Sequence, residues 1–215
     1  MKTLKSWAPL LAAIALFSLA GTQVHAATVT DCGTDICFTY DDSTRFGTAN
    51  VVENAIFFAP PSFKKGSRNG KGIKTRTSTL NITIDVINSQ FSMSQFFLEE
   101  QGDYILDGES ASVGASGMLA ITSGTKTCAN PYNSLFPDVP CRTSNTFTAG
   151  DLLVQGALTD WSASTFIDLA DSPDWNSDTS VVMTLQNNLY ASTFEFGEQA
   201  FIQKKFAGVG IRVLP

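Results

Sequence analysis

The feature that most restricts this chain is a two-residue alternation. Leu80, Ile82, Ile84 and Val86 recur against Asn81, Thr83 and Asp85, with Ile87 the exception, and Val181, Met183 and Leu185 repeat the pattern. A period of two describes a strand with one buried face. Comparable short runs occupy 36–40, 49–59, 91–98, 104–106, 112–122, 147–158, 165–169 and 201–213, set apart by Gly, Pro, Asn, Asp and Ser. No stretch sustains the 3.6-residue apolar period of a helix. About nine or ten such strands predict an all-β fold, a single antiparallel β-sandwich or jelly roll. Gln101-Gly102-Asp103 reads as a hairpin turn. Segments 60–79 and 123–145 hold few apolar residues and are expected to be two long loops.

The first 26 residues read as an export signal. Lys2 and Lys5 precede an apolar stretch from Trp7 to Ala20, and Val24-His25-Ala26 supplies small residues at the positions a signal peptidase accepts. Cleavage is expected after Ala26. The alternative, a membrane anchor, would need roughly 20 apolar residues, and this run is shorter. The β-sandwich domain is then 27–215, long enough for one core. His25 is the single histidine, so the mature chain would carry no imidazole.

The mature chain keeps four cysteines, Cys32, Cys37, Cys128 and Cys141. An even count in an exported chain reads as disulfides, with three possible connectivities, of which local pairing is the simplest. A zinc site is the rival, but neither spacing is that of a zinc knuckle and no histidine is at hand.

Lys2 and Lys5 are the only charges before residue 27, so 12 of the 14 basic and all 20 acidic residues remain, a formal charge of −8. An acidic surface argues against nucleic acid and anionic lipid as general partners. No mature segment is apolar for long enough to span a bilayer as a helix. Lys64, Lys65, Arg68, Lys71, Lys74 and Arg76 nevertheless hold half of the mature positive charge with no acid between them. They form a candidate contact for an acidic polysaccharide or other polyanion, with Phe57, Phe58 and Phe63 as stacking surface; the plain alternative is a solvated charge run. Gly66 to Gly72 has a passing likeness to a phosphate loop but lacks the glycine spacing and the Mg-binding hydroxyl.

Catalytic devices are scarce. Glu99 and Glu100 are adjacent, so on a strand they point to opposite faces and cannot flank one glycosidic bond. Serine or cysteine nucleophiles would lack their usual imidazole partner. A lyase using Tyr as base would have Tyr40, Tyr104, Tyr132 or Tyr190 to choose from. Trp161 and Trp175 could stack on sugar or fill the core. Asp168, Asp171, Asp174 and Asp178, with Asn176, are the one calcium candidate, although they lack the EF-hand order and lie where turns want Asp. No catalytic residue, metal or cofactor is assigned.

Val181 to Ala191, Gln199 to Lys205 and the closing Gly208-Val209-Gly210-Ile211-Arg212-Val213-Leu214-Pro215 resemble the last strands of secreted ectodomains of the PEP-CTERM class of Gram-negative bacteria, and 102–117 resembles their middle strands. The resemblance covers about half of the mature chain and implies an association with exopolysaccharide and biofilm matrix. It transfers no catalytic residues. In that class a Val-Pro-Glu-Pro motif, an apolar helix and a basic tail follow; this sequence stops at Pro215, so sorting by that route is not inferred. The expectation is a secreted matrix or surface interaction protein, with acidic polysaccharide or other surface proteins as partners. The alternatives are a histidine-free polysaccharide lyase and a fibre subunit assembling by strand addition.

Overall fold

Twelve strands and no α-helix make up the computed structural model, which describes residues 27–42, 44–129, 138–169, 175 and 178–215. They are β1 (Thr28–Cys32), β2 (Ile36–Asp41), β3 (Ala49–Val52), β4 (Ala55–Phe58), β5 (Lys64–Arg68), β6 (Lys74–Val86), β7 (Ser92–Asp107), β8 (Ser112–Cys128), β9 (Val139–Thr148), β10 (Thr159–Asp168), β11 (Ser180–Ser192) and β12 (Gln199–Leu214). One sheet has the order β1-β2-β6-β11-β8-β9 and the other β10-β7-β12-β4-β3, with β5 added beside β12. All pairings are antiparallel. From β6 onward the chain passes repeatedly between sheets, broken by the β8–β9 hairpin, so the architecture is a β-sandwich of jelly-roll type. The cleavage point after Ala26, and His25, lie outside the described residues.

The alternating columns become the core. Leu80, Ile82 and Ile84 of β6 and Val181, Met183, Leu185 and Leu189 of β11 are buried, facing Phe96 and Leu98 of β7 and Ala200, Ile202, Val209 and Ile211 of β12. Each fully buried Leu, Ile or Phe contributes about 1.5–3 kcal/mol relative to exposure. β12 keeps its apolar residues inward only by changing parity. Inward positions run Ala200, Ile202, Lys204 and then Ala207, Val209, Ile211, and the register shifts between Lys204 and Phe206. One extra residue in a strand is a β-bulge, and it reverses which face the next side chain meets.

Both local disulfides form, Cys32–Cys37 and Cys128–Cys141. The first ties the β1–β2 hairpin, the second the β8–β9 hairpin.

Four expectations are corrected. Segment 60–79 is not a loop: it contains β5 and the first half of β6, where Lys74 to Thr79 pair with Gln186 to Ala191. Main-chain pairing is indifferent to charged side chains, and this end of the sandwich leaves both faces partly wet, so no apolar alternation marks it. Segment 123–145 shrinks likewise, because β8 runs to Cys128 and β9 starts at Val139. Gly102 is not in a turn; β7 runs straight through it. A Cβ there would run into the Gln203 carbonyl oxygen and lie 2.7 Å from the Trp161 indole, so the glycine makes room for both the neighbouring main chain and a ring. Finally, β9 ends at Thr148, and the expected strand over 147–158 leaves Leu153 and Leu158 exposed.

Candidate functional site

The turn between β5 and β6 carries the positive charge to one end of the sandwich. Asn69, Gly70 and Gly72 all have positive φ (54°, 69° and 68°), which glycine tolerates and which lets the chain leave one sheet and enter the other within a few residues. Ser67 is buried and its hydroxyl donates to the Gly72 carbonyl at 2.7 Å, closing the turn. This brings Arg68, Lys71 and Lys74 around one shallow cleft of about 270 Å³, completed by Gly66, Ser67, Ala200 and Phe201. No carboxylate lines it. Lys64 and Lys65 begin β5 outside the cleft lining, and Arg76 lies further along β6 opposite Leu189. The structure thus gathers three of the six basic residues and spreads the other three along the flanking strands.

A second loop braces this turn. The β11–β12 connection, residues 193–198, is organised by Glu198, whose carboxylate accepts from the main-chain N–H of Ser110 (2.8 Å), Phe194 (3.0 Å) and Glu195 (3.0 Å) and from the Ser110 hydroxyl. These donors, the Ser110 hydroxyl foremost, hold the carboxyl down at about 2. The Glu198 carbonyl accepts from Asn69 N–H, Gly72 N–H donates to the Thr193 carbonyl, and Gly197 N–H donates to Asn69 Oδ1, so the two loops form one unit. Its outer surface presents Phe194 (59% exposed) and Phe196 (91% exposed). The apolar residues at this tip are therefore not Phe58 and Phe63, which are buried, nor Phe57, which packs on Phe206.

The far end of β12 has the opposite character. A groove of about 560 Å³ there is lined by Thr34, Asp35, Glu53, Asn54, Ile211, Arg212 and Val213.

Between the sheets lies a polar cluster that alternation arguments did not single out. Lys204 of β12, Glu100 of β7 and Asn187 of β11 are all buried. Glu100 Oε2 is 2.5 Å from Lys204 Nζ, which also donates to Asn187 Oδ1. The Phe46 and Phe63 ring centroids each lie 5.4 Å from Nζ, and the Lys204 N–H donates to the Phe63 carbonyl. The Asn187 amide lies beside the Glu100 carboxyl and, with Lys204, favours its ionised form. Burial pushes the Glu100 carboxyl up and the Lys204 ammonium down to about 8, against their mutual attraction. Strand alternation turns the next lysine outward, so Lys205 pairs with Asp103 on the opposite face. The sequence did carry a signal: Asn187, Glu100 and Lys204 each interrupt an otherwise apolar inward column. As expected, Glu99 points away from Glu100.

Other candidates resolve differently. Tyr40 and Tyr104 are core residues, and Tyr132 lies outside the described residues. Burial and the neighbouring Asp31 carboxylate push the Tyr40 phenol up to about 12, the wrong direction for a base. Trp161 and Trp175 are both buried rather than forming a platform. Asp171, Asp174 and Asn176 lie outside the described residues. Asp178 is buried and accepts from the Thr125 hydroxyl, and Asp168 accepts from Gln95. Among the described residues no group of three His, Cys, Asp or Glu is placed to hold a metal, and no helix is long and apolar enough to cross a membrane.

No family model and no curated protein matches this chain. Among solved structures, chains of the infectious bursal disease virus Gt and Gx strains align over 87% of this chain at 12% identity, with TM-scores of 0.41 and 0.38. The chain spans 37% of the length of each.

Proposed function

We propose that this is a secreted matrix or surface interaction protein that holds an acidic polysaccharide in the Arg68–Lys71–Lys74 cleft. The observation that carries the reading is the convergence of these three cations, from a strand end, a turn and a strand start, on one cleft without a carboxylate in its lining. In a chain of net charge −6 such a concentration of one sign focuses polyanions locally while the rest of the surface repels them. The charged groups are exposed, so attraction would be salt-sensitive over a Debye length of about 8 Å. Phe201 adds an aromatic side chain to the lining, a residue type that sugars pack against. Two disulfides suit an oxidising compartment, and the closing strands resemble secreted PEP-CTERM ectodomains associated with matrix polysaccharide.

The test is retention on immobilised acidic polysaccharide beside a neutral one. The protein should be held by the acidic matrix alone and released by salt, and Arg68→Gln/Lys71→Gln/Lys74→Gln should flow through. Equal retention of the triple variant would refute the assignment. Release of sugar fragments during the same run would favour an enzyme instead.

A further inference from the structure

The geometry points to a covalent crosslink between the two sheets: an amide bond joining Lys204 Nζ to the side-chain carbon of Asn187, formed by the folded protein itself with Glu100 as proton relay. Three facts converge on this site. The amine contacts the Asn187 side-chain oxygen, one bond from the carbon it would attack. The carboxyl of Glu100 sits 2.5 Å from the same nitrogen. All three groups are buried, behind Phe46 and Phe63, where water does not compete as nucleophile.

Lysine amines become nucleophiles when desolvation strips their proton. Here burial moves both groups toward their uncharged forms, the carboxyl up and the ammonium down to about 8, so that an uncharged fraction of the amine faces the amide. Holding reactants in contact replaces an encounter in solution, an advantage worth on the order of 7–11 kcal/mol of barrier. The uncharged Nζ adds to Asn187 Cγ while the Glu100 acid donates a hydrogen bond to the developing oxyanion. The carboxyl then takes a proton from Nζ and passes one to Nδ2. The Cγ–Nδ2 bond breaks, one ammonia leaves, and Nζ–Cγ remains as a secondary amide, with Glu100 returned to its starting state. No oxidant or cofactor enters the balance.

The product also removes an energetic anomaly. As free side chains the cluster buries an ammonium, a carboxylate and a primary amide, each costly in a low-dielectric interior. The crosslink replaces the ammonium and the primary amide with one neutral group. It would tie β11 in one sheet to β12 in the other, beyond what the disulfides do, since both of those join neighbouring strands of a single sheet.

Glu195 and Glu198 lie between Asn187 and Lys204, so a glutamate-specific protease separates the two residues onto different peptides. In the reduced, fully unfolded wild-type protein those peptides should remain joined and weigh one ammonia less than their sum, and trypsin should not cut after Lys204. Peptides that come apart at their full masses would overturn the proposal. Glu100→Gln should leave them separate; joined peptides in that variant would overturn the carboxyl's role. If Glu100→Gln is not recovered folded, Glu100→Asp decides that role on refolding, with slowed joining expected and an unchanged rate contradicting it. Asn187→Asp keeps the reacting carbon and should give the same joined product with loss of water; a failure to join in folded Asn187→Asp would count against the mechanism.

Discussion

Lys204 and Lys71 are the same residue type in opposite circumstances. Lys71 stands in a turn, exposed, beside Arg68 and Lys74, with solvent to screen each charge from the next. Lys204 is enclosed between the sheets against a carboxylate and two rings. In water a unit charge costs little to keep, and single exposed pairs are worth about 0–1 kcal/mol, so the outer cluster matters only collectively and only to a partner. In the interior the same charge carries a desolvation penalty of several kcal/mol that must be met by pairing or by chemistry. One lysine is therefore available for binding and the other is committed to the fold.

That contrast is most easily broken from the inside. Lys204→Ala removes the crosslink and leaves Glu100 and Asn187 buried without their third member, and breaking a buried polar cluster in this way costs about 3–5 kcal/mol. Chemical denaturation should show at least that loss; a change below about 1 kcal/mol would mean that neither a crosslink nor the buried polar contacts at Lys204 hold the fold. Next in size comes the Cys128–Cys141 bridge, whose sequence separation is 13. Replacing both cysteines by serine should cost about 3 kcal/mol by the loop-entropy account, read in the same denaturation experiment.

A smaller effect concerns the brace beneath the outer cluster. The Glu198 carboxyl titrates at about 2 in the folded protein against an ordinary 4.5. A depressed acid stabilises most where the unfolded chain is also ionised, so its contribution is complete above about 4.5 and fades as pH falls toward about 2. The amide resonances of Ser110, Phe194 and Glu195 should shift together across that window, and Glu198→Gln should abolish the transition. The smallest effect belongs to the cleft itself. Arg68→Gln/Lys71→Gln/Lys74→Gln should change stability by no more than about 0.5 kcal/mol per residue while removing retention on acidic polysaccharide. A large loss of stability would show that these side chains support the fold rather than a ligand.

What could be read beforehand follows the same division. Where one face of a strand is buried, as with Leu80, Ile82 and Ile84 or Val181, Met183 and Leu185, the period of two is written into the residues and the strands were legible. Local pairing was the simplest of three open connectivities, because Cys32 and Cys37, and likewise Cys128 and Cys141, bracket hairpin-sized segments, and the structure has that pairing. β5 and the start of β6 were not, because Lys64 to Thr79 is held by main-chain pairing at a wet end of the sandwich and bears no apolar column. Gly102 misled for a different reason: it serves Trp161 on a neighbouring strand, a contact invisible in local sequence. The basic residues were visible as a run, but their sorting into three that share a cleft and three that do not depended on the positive-φ turn at Asn69, Gly70 and Gly72. Lys204, Glu100 and Asn187 were each visible as a polar interruption of an apolar column, and only the packing of the two sheets showed that the interruptions meet.

The most direct measurement compares lysines by amine acylation before and after complete unfolding in reductant and denaturant, with sites read by mass spectrometry. Lys71 and Lys74 should label in both states, and Lys204 in neither, because its nitrogen is already an amide. Labelling of Lys204 once the chain is unfolded would show an ordinary buried amine and contradict the account.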